Sequence, residues 1–185
     1  MELKYKLLDH PFYKAWSCGE ITTGQLSKYS ASYLEFIESI PTYWERVIAG
    51  LNAKDSVAKE IVLEEKEHIY LWKKWSSKLG SVNSFPRMIE VLLEFEKMNP
   101  SELLGAIHAF EIQQPGVAKT KKEGLLNHYG FDESDSIYFD EHMNEQKHIS
   151  FGEKLAKESA DKKEFEKGFE RGSELVYKSL DLFLN

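Results

Sequence analysis

The chain has 185 residues, 42% hydrophobic and 30% charged, the balance of an ordinary soluble domain with enough apolar mass for one core. Its 31 Asp and Glu against 24 Lys and Arg leave a net charge of −7, which argues against nucleic acid or an anionic membrane surface as its partner. A single cysteine, Cys18, excludes an internal disulfide and a CxxC metal knuckle, and reads as a small buried side chain. No apolar run approaches the ~18–20 residues of a membrane span. The opening MELKYKLLDHPF lacks the apolar stretch of a signal peptide, so a cytoplasmic location is expected.

In chain order, apolar residues recur at the helical period and no segment alternates like a strand. A short helix is expected over residues 11–16, ending near Gly19. A long one follows Thr22 and Thr23 and runs to about Leu51, kinked at Pro41. A third spans 55–79 and stops at Gly80; a fourth spans 86–98. Asn99-Pro100 reads as an N-cap followed by proline at the first helical position. It opens a fifth helix that runs to Tyr129, kinked at Pro115, with Gly130 as its stop. The sixth runs from Ser134 or Asp135 to about Ser159, and the seventh starts near Asp161. The expectation is one all-α domain over 1–185, a bundle of about seven helices.

Three places set metal-competent side chains on core-like faces. In the third helix, Glu64 and His68 are four apart and Glu65 and His68 three apart, so either pair shares a face. In AIHAFEIQQP, Glu111 is a lone carboxylate in an apolar stretch, costly to bury unless something cationic meets it; His108 nearby reads as structural. In YFDEHMNEQKH, Glu145 and His148 lie about 60° apart on a helical wheel, with Glu141 between them and His142 towards the flank. Carboxylates and imidazoles projecting inward from several helices are how two-metal carboxylate sites are built, and the lack of thiolate suits Fe or Mn. No GxGxxG, GxxxxGK[ST] or GxSxG occurs, so nucleotide cradles and the serine-hydrolase elbow find no support.

The segments HPFYKAW and GEITTGQLSKYSASY resemble the first two helices of the TenA/PqqC-like, heme-oxygenase-like proteins. FEIQQPGVAKTKKEGLLNHYGF, then YFDEH and a later KH, are similar to the branch of heme-oxygenase-like di-metal oxidases that contains the chlamydial protein associating with death domains. EEKEHIYLW resembles that branch's first metal motif, and the likeness runs from about His10 to the C-terminal SLDLFLN. By this resemblance the first carboxylate and histidine fall on Glu64 and His68. Glu65 is a rival, because this chain is shorter between the two ligands than the family. The fifth-helix glutamate falls on Glu111. The last motif falls on His142, Glu145 and His148, with Glu141 the alternative to His142 if it is aligned without a gap.

The resemblance implies a heme-oxygenase-like bundle and an oxidoreductase that activates O₂ at two metal ions, Fe/Fe or Fe/Mn, using a reductant. That branch is viewed as a self-sacrificing p-aminobenzoate synthase, with a tyrosine of its own chain as ring source and a lysine as amino donor. The matching residues are Tyr13 and Lys121. The substrate is then either Tyr13 itself or a small molecule, and a homodimer or higher homo-oligomer is expected. Other readings are a TenA-like aminopyrimidine or thiamin salvage hydrolase, a cofactorless PqqC-like oxidase, and a non-enzymatic helical binding protein. Cys18 lies in the wrong region for the hydrolase's nucleophile, and an acidic chain suits an anionic substrate poorly.

Overall fold

Capping and proline chemistry cut the chain into more pieces than the hydrophobic period alone indicates. The computed structural model describes residues 1–184, and among these it holds ten α-helices and no strand. The first, α1 (Pro11–Ser17), is capped by the His10 side chain, which accepts from the Phe12 amide. A capping box of Thr22 and Gln25 starts α2 (Thr23–Ile37). The predicted kink at Pro41 is instead a break. A new helix, α3 (Ile40–Gly50), begins with Pro41 in its first turn, where a missing N–H costs nothing. Asp55 caps α4 (Ser56–Ser76), and a 3₁₀ turn (Ser77–Leu79) leads to Gly80 at φ +80°. Then come α5 (Ile89–Lys97) and α6 (Pro100–Glu111), the latter capped as expected by Asn99, which accepts from the Ser101 and Glu102 amides.

The other two long predicted helices also divide. Pro115 sits in the first turn of α7 (Gln114–His128) rather than in a kink. The predicted sixth helix is α8 (Ile137–His142) and α9 (Gln146–Glu158), separated by an irregular turn. Asp161 caps α10 (Lys162–Ser179), which ends in a 3₁₀ turn. The all-α expectation therefore stands, with three predicted helices each split in two.

The centre of the bundle is α6, in which every residue from Leu103 to Glu111 is buried. It packs on α3, α9 and, most closely, α10. A Cβ on Gly168 would stand 1.8 Å from the Glu102 carbonyl oxygen, and one on Gly105 would stand 2.0 Å from that of Phe165. The two backbones thus touch through glycines. This contact seats α6 deep in the molecule, with Glu111 at its inner end. On the other side, Phe12, Trp16, Tyr29, Trp72 and Trp75 build an aromatic core between α1, α2 and α4. No described helix is long and apolar enough to cross a membrane.

Gly168→Ala should lower stability by about 2 kcal/mol or more, because backbone rather than a flexible side chain must move. For a chain of this size that is a fall of roughly 4–8 °C in Tm by differential scanning calorimetry. Gly24→Ala, where nothing lies nearer than 4.0 Å, should leave Tm unchanged or raise it.

Candidate metal centre

Six buried side chains converge from α4, α6, α8 and α9. Ligand atoms of His68, His142 and Glu145 lie within 4.8 Å of one another, and so do those of Glu65, Glu111 and His148. His148 joins the two groups: its Nδ1 is 2.9 Å from Glu145 Oε2, 3.1 Å from Glu65 Oε1 and 3.9 Å from Glu111 Oε2. His68 reaches Glu65 at 3.5 Å through Nδ1 and Glu145 at 3.8 Å through Nε2. His142 Nε2 is 3.9 Å from the same Glu145 oxygen.

The contacts are close, yet many are not hydrogen bonds. His68 Nδ1, His148 Nδ1, Glu111 Oε1 and Glu145 Oε2 are buried without an aligned partner. Among the described residues, no lysine or arginine pairs with Glu65, Glu111 or Glu145; their ionic neighbours are histidines. Buried polar atoms are almost always satisfied, so a cluster of orphaned carboxylate and imidazole atoms fits missing cations. The donor set is right for first-row metals that take oxygen and imidazole. The pattern is also right. Glu65-x-x-His68 and Glu145-x-x-His148 are two Glu-x-x-His segments, the plan of two-metal carboxylate bundles, with Glu111 and His142 completing the set. His142 Nδ1 donates to the Tyr138 carbonyl at 2.7 Å, which leaves Nε2 facing the cluster as a metal-binding histidine requires.

The charges are strained without metal. Burial, then the neighbouring Glu65 and Glu145, push Glu111 well above the usual carboxylate range. Burial and the adjacent His68 hold His142 well below an ordinary imidazole. For His148, burial favours the neutral ring, but the Glu145 and Glu65 carboxylates outweigh it and its pKa is pushed up to about 12. Glu65 shows the converse: burial opposes its charge, but His148 and His68 hold it below its ordinary value.

One sequence assignment, Glu64, changes, and of the pair Glu141 and His142 it is His142 that joins the cluster. Glu64 is not in the cluster, and Glu65 takes its place. Glu64 is about one-third exposed, bonds Lys147, and accepts at 3.2 Å from the outward Nε2 of His148. It therefore stands behind a ligand rather than among the ligands. The repeated Glu-x-x-His spacing was the signal for Glu65. Glu141 is exposed while His142 is buried. The wheel favoured Glu141 only for a continuous helix, and the turn at residues 143–145 interrupts it and leaves His142 facing inward. His108 is buried against Phe165 and Phe169, outside the cluster. Cys18, expected to be buried, is exposed, because α1 ends just before it and its side chain is left at the surface.

Tyr13 and Lys121 meet beside the centre. Lys121 is 1% exposed on α7. Its Nζ lies 4.2 Å from the Tyr33 ring centroid, 5.2 Å from Tyr29, 5.3 Å from Trp72 and 5.7 Å from Tyr13. Burial alone drives its pKa well below that of an ordinary lysine. The Tyr13 hydroxyl is 3.1 Å from that of Tyr29, and burial raises its pKa. Tyr138 links this cage to the centre, with its ring 4.0 Å from His142 and 4.8 Å from Trp72.

Glu65→Ala should abolish stoichiometric metal loading measured by elemental analysis. Glu64→Ala should keep the stoichiometry and weaken affinity by about 10–100-fold, the usual cost of a lost outer partner. In the metal-free chain the raised pKa of His148 stabilises the fold fully below the unfolded value near 6.5 and is lost as pH climbs towards about 12. Loading at neutral pH must then expel that proton. A weakly buffered indicator assay should register proton release on metal addition, and the release should shrink in His148→Ala.

No family model matches the chain. It is 29% identical over 208 residues to a protein of Chlamydia muridarum named 4-aminobenzoate synthase, covering 96% of this chain and 84% of that one. A protein of the same name from Nitrosomonas europaea is 31% identical over 159 residues, covering 72% and 65%. Among solved structures, a domain of unknown function with a heme oxygenase-like fold from Shewanella denitrificans superposes with a TM-score of 0.73 at 17% identity, covering 96% of this chain and 85% of that one. A TenA homolog from Pseudomonas syringae gives 0.68 at 10% identity, covering 96% and 86%. The chain is thus similar in sequence to proteins named 4-aminobenzoate synthase and shares the heme-oxygenase-like, all-α fold of these solved structures.

Proposed function

We propose that the chain is an O₂-dependent di-metal oxidase that makes 4-aminobenzoate, taking the ring from its own Tyr13 and the nitrogen from Lys121. The name shared by the chlamydial and Nitrosomonas relatives supports the product. The buried cluster supports the metals, Fe/Fe or Fe/Mn, held by Glu65, His68, Glu111, His142, Glu145 and His148. When bound, the metal pair supplies the reduction of O₂ and the oxidising power for the ring.

The observation that carries this reading is Lys121. A lysine among four aromatic rings, with no carboxylate paired to it among the described residues, is driven by burial towards its neutral form. The Tyr13 ring is 5.7 Å away, and once oxidised it can condense with the amine's lone pair at the carbon that bears its oxygen, which leaves as water; hydrolysis at Lys121 Cε and cleavage of Tyr13 Cα–Cβ with O₂ as oxidant then free the product. Tyr29 positions the Tyr13 hydroxyl, and the surrounding rings keep water from intercepting the reaction. An external reductant supplies the remaining electrons. Because the chain is consumed, product is limited to about one per chain. The exposed Cys18 offers no nucleophile to a salvage hydrolase of the TenA kind.

The test is intact-mass and peptide-level mass spectrometry after O₂ and reductant are added to metal-loaded protein. The expected result is a change confined to Tyr13 and Lys121, absent in Tyr13→Phe and in Lys121→Met. An unchanged chain that turns over an added small molecule many times would leave an ordinary oxidase instead.

A further inference from the structure

We infer that the opening edged by Glu64, Glu67, Glu141 and Lys147 is the port through which divalent cations load the centre, with Glu64 the receiving carboxylate and Lys147 its latch. This rests on the cluster below being a metal centre. A cavity of about 410 Å³ opens here between α4, α8 and α9, and its floor is His68, Glu145 and His148. Two floor atoms, His68 Nδ1 and Glu145 Oε2, are buried and lack partners, so the hollow ends on unsatisfied ligand atoms rather than on apolar wall.

The edge has the charge that such a port needs. Glu64, Glu67 and Glu141 surround it, and Lys147 is the one lysine or arginine lining it among the described residues. The adjoining hollow, which shares Leu71 and Ile137, carries Lys74 and a Lys78–Asp135 ion pair instead and leads to Tyr138. A cation approaching this side of the molecule is therefore drawn to the first opening in preference to the second.

Glu64 spans the depth of the port. One oxygen bonds Lys147, and the other accepts from His148 Nε2 at 3.2 Å. Lys147 also reaches Glu60, 3.4 Å away on the surface. A cation arriving at Glu64 replaces the ammonium there, and Lys147 retains Glu60 as its counter-ion. The displaced latch is exposed and flexible, so the exchange moves one side chain and no helix.

The experiment is stopped-flow uptake of Co(II) alone by anaerobic metal-free protein, followed by visible absorbance, with the endpoint counted by elemental analysis. Lys147→Gln should load several-fold faster. Glu67→Lys and Glu141→Lys should each load several-fold slower, and added salt should slow the wild type, since charge steering changes association by roughly tenfold or more. All should reach the wild-type endpoint of about two ions. Glu123→Lys, remote on α7, should load like the wild type. Edge variants that match the wild-type rate, or a Glu123→Lys that is slowed equally, would overturn the port while leaving the metal centre intact. A slower Lys147→Gln would overturn the latch. A wild type that takes up no Co(II) would overturn the centre and the port together. Two independent edge reversals guard against one variant misfolding, checked by circular dichroism.

Discussion

Three carboxylates buried without a lysine or arginine are the constraint around which this molecule is arranged. Each buried charge carries an effective penalty of several kcal/mol unless paired. Here the cationic neighbours of Glu65, Glu111 and Glu145 are imidazoles alone among the described residues, and Glu111 Oε1 and Glu145 Oε2 lack an aligned partner. A fold tolerates such a cluster if cations complete it. The metal-free chain copes by moving protons: His148 keeps one, and Glu111 is driven towards its neutral form.

Holding the cluster requires a rigid frame, and α6 supplies it. Glycines let α10 lie directly on its backbone, so the helix that ends at Glu111 has little room to shift. The second requirement is that ligands separated along the chain point to one place. On α4 a single turn does this, with Glu65 and His68 three residues apart. On the α8–α9 segment a continuous helix would spread His142, Glu145 and His148 around too wide an arc. The turn at 143–145 gathers them.

Beyond the carboxylate and imidazole cluster the polarity reverses. The Lys121 amine sits among the rings of Tyr13, Tyr29, Tyr33 and Trp72, and an ammonium there gains ring quadrupoles against a large loss of hydration. An acidic, oxygen-rich pocket for cations thus adjoins a dry pocket that suppresses one, with the tilted rings of Tyr138 and His142 in contact at the junction. The same division shows at the surface, where an acidic opening over the cluster neighbours a less acidic one over Tyr138, edged by Lys74 and the Lys78–Asp135 pair.

Much of this was legible in the chain itself. Helical periodicity and the caps at Thr22, Asp55, Asn99 and Asp161 are local properties, so the all-helical class and most helix starts follow from neighbouring residues alone. Glu111, His68, Glu145 and His148 stood out because each is a polar ligand on a face otherwise apolar. What neighbours could not decide was which of two adjacent residues faces inward. Glu64 and Glu65 differ by one helical step, and only the packing of α4 against α9 turns Glu65 in and leaves Glu64 behind His148. Glu141 and His142 were settled by a break between helices that no propensity rule placed, and Pro41 and Pro115 opened helices where a kink was expected. The solvent exposure of Cys18 and the deep burial of Lys121 were likewise decided by the tertiary structure. Burial belongs to the whole assembly of helices, and a side chain's own neighbours in sequence carry little record of it.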